Sequence, residues 1–179
     1  RYGFNKSYPS RLITSLYFDT PSLSLFTDSE EGLTPRYKTR LRWYGQSVPK
    51  LEAANFEIKR TLPNSREKGC VPIVRLQKKR FQEWDQIITG ELRPILFVRY
   101  FRNYFSDVYG NRATVDVDIR YCLSQPRFEK ETIRPIFVAK DSESVMELKL
   151  SNLESGIKLL DNVPLTATRF SKYCRGVCI

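Results

Sequence analysis

The sequence predicts an α+β domain made mainly of antiparallel strands that share one polar face, with a few flanking helices. The first observation behind this is the stretch YKTRLRWYG (Tyr37 to Gly45). From Arg36 to Arg42 every second residue is a cation, with Tyr37, Thr39 and Leu41 between them and Trp43 following. Side chains of a strand alternate between faces, so Arg36, Lys38, Arg40 and Arg42 stand in one row with neighbours about 7 Å apart. Like charges that close repel unless something anionic lies among them. For a single strand, a solvated outer face is the simpler reading. The second observation is recurrence. Glu57 and Lys59 stand two apart, as do Tyr100 and Arg102, Asp116 and Asp118 (with Arg112 on their parity), and Glu147 and Lys149. In each case the opposite face is mostly apolar or aromatic. Five such strands point to a common polar surface, which becomes the lumen of a barrel if the sheet closes.

The third observation is charge. Lys and Arg number 30 against 20 Asp and Glu, a formal net charge of +10. That excess calls for a polyanionic partner: nucleic acid, polyphosphate, nucleotide or an acidic membrane surface. There is no histidine, which excludes a His–Asp catalytic pair and most zinc sites within the chain. Chemistry here must use carboxylates, cations and hydroxyls, with a hard metal ion as an open addition. Cys70, Cys122, Cys174 and Cys178 are scattered without zinc-ribbon spacing and read as reduced thiols in a cytoplasmic setting. No apolar run approaches the roughly 20 residues of a membrane span, and no signal peptide is present. The 179 residues read as one domain, residues 1–179, large enough for its own core. The chain begins at Arg1 without Met and reads as a trimmed domain.

In chain order, RLITSLYF (Arg11 to Phe18) alternates as a strand and Asp19-Thr20-Pro21 stops it. Residues Ser22 to Gly32 read as turn-rich, with an acidic cluster at Asp28, Glu30 and Glu31. The cationic strand follows and ends at Gly45. Asn55 to Thr61 is a strand, and LPNSREKG (Leu62 to Gly69) a polar loop. From Val74 to Thr89 the period changes to helical, with Trp84, Ile87 and Ile88 on the buried side and Gly90 just beyond. Ile95 to Phe105 and Arg112 to Ile119 form a hairpin about a turn at Asp107 to Asn111. Residues 121–134 are polar and irregular. Ile136 to Ala139 and Val145 to Leu150 are strands, and Leu153 to Leu160 and Phe170 to Val177 short helices.

A lumen rich in cations is a poor host for a neutral ligand, since each buried unpaired charge costs several kcal/mol. Phosphate oxygens satisfy guanidinium forks bidentately, with ammonium groups as point charges beside them. A linear anion suits this geometry better than duplex nucleic acid. The carboxylates Glu57, Asp116 and Asp118 either pair with neighbouring cations or hold a divalent metal; Glu147 is the first candidate metal ligand. Stacking of single-stranded nucleic acid needs aromatics and cations on one face. Of Tyr37, Trp43, Tyr44, Phe97, Tyr100, Phe101 and Tyr104, most fall opposite the cations, which counts against nucleic acid as a partner.

The succession SLYFDTPSLSLF (Ser15 to Phe26), KTRLRWYG (Lys38 to Gly45), FEIKRT (Phe56 to Thr61), RPILFVRYFR (Arg93 to Arg102), RATVDVD (Arg112 to Asp118), VMELKL (Val145 to Leu150) and RFSKYCRGV (Arg169 to Val177) resembles the VTC domain. That domain is the catalytic module of the vacuolar transporter chaperone complex and of bacterial relatives, within the triphosphate tunnel metalloenzyme (CYTH-like) superfamily. The likeness covers nearly the whole chain in order, and RLRWYG with FSKY is specific. It implies a closed antiparallel β tunnel with polar walls, which polymerises polyphosphate from ATP with Mn²⁺ or Mg²⁺. By motif, Arg40 and Arg42 fall on a phosphate-gripping RxR pair, Lys59 on the basic residue of the next strand, and Tyr100 with Arg102 on a YxR pair. Arg112 opens the following strand, Glu147 falls on the metal-binding glutamate, and Lys149 stands beside it. Arg169, Ser171 and Lys172 fall on the C-terminal basic, hydroxyl and basic positions. Lys38 and Lys68 join the set as substrate-binding cations. The family's first tunnel strand lies before Arg1, which leaves polymerase, triphosphatase and non-catalytic polyphosphate sensor all open. The implied partners are ATP or another nucleoside triphosphate and inorganic polyphosphate, with any membrane-anchored complex reached through regions outside this segment.

Overall fold

The computed structural model describes residues 3–45, 54–72, 92–123, 135–151 and 166–179. The helices expected at Val74 to Thr89 and Leu153 to Leu160 lie outside the described residues. Among the described residues eight strands form one sheet: β1 (Asn5–Asp19), β2 (Arg36–Tyr44), β3 (Asn55–Thr61), β4 (Arg66–Pro72), β5 (Arg93–Ser106), β6 (Arg112–Cys122), β7 (Ala139–Lys140) and β8 (Val145–Lys149). Their order is β4-β3-β2-β1-β5-β6-β7, with β8 also pairing β6, and every pairing is antiparallel. The sheet curls into a half-barrel, the tunnel-like α+β architecture the sequence predicts. Among the described residues there are two helices, α1 (Ser24–Glu31) and α2 (Lys172–Cys178).

β1 is the centre of the sheet, flanked by β2 and β5, and Ile13 to Tyr17 are buried without a break. Its two faces therefore enter two different cores. On the concave side Ile13 and Tyr17 join Leu96, Val98, Tyr100, Ile119 and Tyr121, with Tyr173 and Cys174 of α2 packed among them. On the convex side Leu16 joins Leu41, Trp43, Ala54, Phe97 and Cys122. Part of the concave face is thus apolar and covered by α2, rather than polar throughout. A Cβ on Gly176 would overlap the Tyr121 ring and the Leu96 side chain, so glycine is what lets α2 lie this close.

Four local readings are corrected. The stretch Ser22 to Gly32 is mostly helix, because its cap comes from outside it. The Asp19 carboxylate accepts the Leu25 and Phe26 N–H groups, both at 2.9 Å, and Thr20 Oγ1 accepts from Ser24 N–H at 3.0 Å. These satisfy the orphan donors of the first turn, and Gly32 at φ 75° ends the helix. The loop expected at Leu62 to Gly69 turns tightly at Leu62–Ser65, and from Arg66 the chain pairs with β3 as edge strand β4. The strand expected at Ile136 to Ala139 is only Ala139–Lys140. Finally, β6 bulges opposite Tyr100, between the Arg99–Arg120 and Phe101–Val117 pairs, where Asp118 takes φ 51°. A bulge shifts side-chain parity. Ile119 then packs with Tyr100 in the concave core, and Asp118 pairs instead with Arg120 at 3.1 Å and Lys140 at 3.4 Å.

Candidate functional site

The cation row of β2 lies on the concave side, and its middle is organised by two buried carboxylates. Glu57 is the cross-strand partner of Arg40. Its Oε2 accepts from Arg40 Nε and Nη2 at 2.8 and 2.6 Å, with Arg42 Nη1 at 3.6 Å, while Lys68 Nζ stands 3.3 Å from Oε1. Arg40 also donates to Tyr17 Oη at 2.9 Å, and Arg42 to Tyr100 Oη at 3.3 Å. Across the trough, Asp116 receives both arms of Arg102 at 2.6 and 2.7 Å, and Lys172 Nζ at 2.6 Å. Lys172 sits 4.8 Å from the Tyr100 ring centre, within cation–π range.

Burial alone would raise both carboxyl pKa values. At Glu57 this is outweighed by Arg40, Arg42 and Lys68, and at Asp116 by Arg102 and Lys172, so both carboxyls are held below the ordinary range. Arg40 and Arg102, though buried, are correspondingly held more firmly protonated. Burial also opposes ionisation of Tyr17, but Arg40, Arg42 and Lys172 overcome it and lower its pKa. Tyr100, where burial wins, is pushed up to about 12.

Toward the start of β2 the row opens into a cavity of about 140 Å³, lined by Arg36, Lys38, Lys59, Thr61, Arg66 and Arg169 together with Ser29, Phe170 and Ser171. Lys38 Nζ donates to Ser171 Oγ at 2.7 Å, the same oxygen that caps α2 by accepting from Cys174 N–H. Arg169 reaches the Glu30 carbonyl at 3.3 Å. Among the described residues no carboxylate lies within ion-pair distance of these five cations. Burial first, then neighbouring cations, lower the pKa of Lys38 (Arg36 and Arg169) and of Lys59 (Arg66 and Lys38).

The predicted site residues thus fall into two groups, with three stragglers. Arg40, Arg42, Lys68, Tyr100, Arg102 and Lys172 surround Glu57 and Asp116; Lys38, Lys59, Arg169 and Ser171 line the cavity. Lys68 stands on a strand rather than the expected loop. Glu147, on β8 opposite Thr114, lies within the field of Lys59, although β2, β1, β5 and β6 separate their strands in the sheet. That proximity follows from the curl. Its carboxylate is half exposed and, among the described residues, pairs with Lys149 at 3.6 Å. Arg112 and Lys149 are register partners at the exposed rim and do not reach the inner groups. Sequence reasoning missed Arg36 and Arg66 as cavity residues and Tyr17 as the partner of Arg40. Arg36 was legible from its parity with Lys38; Arg66 was hidden in the supposed loop.

No described helix is long and apolar enough to cross a membrane. A family model described as "VTC domain" matches residues 2–82 and 75–179. The chain is similar to the structure of PH1819 protein from Pyrococcus Horikoshii OT3, at 13% identity and TM-score 0.47, covering 97% of this chain and 84% of that one. No curated protein matches the sequence.

Proposed function

The chain belongs to the VTC domain family, and from that premise we propose that it transfers the terminal phosphoryl group of ATP or another nucleoside triphosphate to the end of a polyphosphate chain. The observation that carries this reading is the single row from Arg36 to Arg42, continued by Arg102 and Lys172, on the concave face of a curled sheet. A row of that kind holds donor and acceptor phosphates in line. An oxygen of the acceptor's terminal phosphate attacks the γ-phosphorus, the bond from that phosphorus to the bridging oxygen breaks, and nucleoside diphosphate leaves. No side-chain nucleophile is required. Arg40, Arg42 and Arg102 are preset by Glu57 and Asp116, and offer guanidinium donors to the equatorial oxygens as charge builds there.

The donor set fits a hard divalent cation, Mn²⁺ or Mg²⁺, at Glu147. Glu57 and Asp116 are taken up by ion pairs, whereas among the described residues Glu147 is in ion-pair range of one exposed lysine, and the buried hydroxyl of its cross-strand neighbour Thr114 meets no hydrogen-bond partner. Among the described residues there is no cluster of three or more His, Cys, Asp or Glu side chains for a metal, and the ligand set they offer is one carboxylate completed by substrate phosphates. A bound cation there supplies charge compensation on the transferred group. Lys59 and Lys149 then keep the surrounding phosphates in register with Glu147.

The test incubates full-length protein with ATP and Mn²⁺ and resolves products by gel, beside Glu147→Gln. Polyphosphate synthesis is expected, with Glu147→Gln keeping polyphosphate affinity but losing at least about a hundredfold in rate, each factor of ten being roughly 1.4 kcal/mol. Release of inorganic phosphate without chain growth would instead make it a triphosphatase. Tight binding with no turnover would make it a sensor.

A further inference from the structure

Three tyrosines and an arginine gather at the other end of the cation row. Tyr44 is two residues beyond Arg42 on β2, and Tyr104 two beyond Arg102 on β5, so each shares the face of its cation. Arg11 is the register partner of Arg102, and Tyr8 that of Tyr104. The Arg11 guanidinium lies 5.9 Å from the Tyr44 ring centre and 5.8 Å from that of Tyr104. Tyr8 meets Tyr104 edge-on at 6.0 Å. Burial raises the Tyr104 phenol while Arg102 and Arg11 pull it down, with Tyr44 and Arg42 also in range; the ring therefore bridges the aromatic cluster and the phosphate-facing cations. Tyr8 and Tyr44 are 61% and 45% exposed, so neither contributes much to a core. Arg11 sits between Tyr44 and Tyr104, and Tyr8 leans on Tyr104, so the two exposed rings are held in place and offer flat faces near a cation, the combination on which a nucleobase stacks.

The opposite end of β2 has the contrary chemistry. Arg36 and Tyr44 stand about 27 Å apart along the strand, and the cavity at Arg36 offers five cations and a single, half-buried ring, Phe170. We propose that the Tyr8–Tyr44–Tyr104 cluster, with Arg11, is a nucleobase platform. It seats the base of the nucleoside triphosphate so that its phosphates run from Arg42 toward Arg36. The trough then has a direction: nucleoside at the tyrosine end, polyanion chain at the cationic end. This rests on the reading of the trough as a triphosphate site and adds the moiety that reading leaves unplaced.

Equilibrium binding without divalent cation tests it, comparing ATP with inorganic triphosphate on wild type and on the Tyr8→Ala/Tyr44→Ala double variant. Because both side chains are exposed, the melting temperature should hold, and it is measured alongside. The double variant is expected to weaken ATP about tenfold, equivalent to roughly 1.4 kcal/mol of stacking, with inorganic triphosphate changed less than about twofold. Tyr44→Phe keeps the ring and should keep ATP affinity. Equal losses for both ligands, or no loss for either, would remove the platform while leaving the anion trough intact. A wild-type protein that binds neither ligand would remove both together.

Discussion

The middle and the cationic end of the trough carry similar positive charge and handle it in opposite ways. In the middle, Arg40, Arg42 and Lys68 converge on Glu57, and Arg102 and Lys172 on Asp116. The buried carboxylates fix the guanidinium geometry before any ligand arrives. At the end, Arg36, Lys38, Lys59, Arg66 and Arg169 surround a cavity with no described carboxylate in ion-pair range, and repulsion is relieved partly by depressing two lysine pKa values. Preorganised cations stabilise a transition state because they need not move. Unpaired cations gain most when an anion is added, because the free state is the strained one. The difference assigns alignment to the middle and affinity to the end.

The largest break in this comparison is Arg102→Ala. It leaves Asp116, buried to within a few per cent, with Lys172 alone, and removing one partner of a buried pair costs about 3 kcal/mol. A fall in melting temperature together with a more than tenfold loss of polyphosphate affinity is expected. Unchanged stability would show that Asp116 does not hold the middle.

The next effect is pH. Lys38 and Lys59 have folded pKa values below the ordinary 10.5, so their charge is lost earlier than that of a free lysine as pH rises. Polyphosphate affinity should fall several-fold as pH rises toward the ordinary lysine value of 10.5, and replacing both lysines with Met should flatten the slope. Their contribution to stability has the opposite sign. The unfolded chain keeps those protons up to 10.5, binds more of them than the native state, and is disfavoured as pH climbs. Glu57 and Asp116 act on the acid side. Their folded values lie below the ordinary 4.5 and 3.8, so the stability they contribute is fully present above that range and lost as pH falls beneath it. Melting curves against pH check both limbs.

The smallest effect is Arg66→Ala, at an exposed position of the cavity rim. Polyphosphate affinity should drop about threefold, and the slope of log affinity against log salt should flatten by roughly 0.7, the value per contact for a single-stranded polyanion. Stability should hold or rise, since a like charge beside Lys59 is gone. A drop in stability matching that of Arg102→Ala would erase the distinction between middle and end.

The cationic row was legible because period two is all that a strand needs, and β3 begins and ends at the residues its pattern marks. What escaped the pattern depends on interactions from elsewhere. α1 carries no capping signal of its own, because the cap is Asp19, beyond its first turn. β4 reads as a loop because an edge strand with solvated side chains needs no apolar alternation. Asp118 shares parity with Asp116 in sequence and loses it at a bulge, which no alternation rule registers. The pairing of Glu57 and Asp116 with particular cations required the register of β2 on β3 and of β5 on β6. Tyr44 and Tyr104 were grouped with rings that mostly face the convex core, although their own parity put them beside Arg42 and Arg102.

Asp19 has a consequence in time as well as in space. It closes β1, caps α1 within seven residues, and accepts the hydroxyl of Tyr173 from 154 residues further along the chain. Tyr17 likewise stacks on Tyr173 at 5.1 Å. A ribosome adding about 5–20 residues per second delivers the partner on the order of ten seconds or more after the carboxylate. Until β5 and β6 follow, β1 can hold α1 while its concave face, Ile13 and Tyr17, is bare, and for the rest of that interval the face still lacks α2. Within this segment β1 precedes every element that encloses its concave face, so that apolar face stays at least partly open on the nascent chain until α2 arrives.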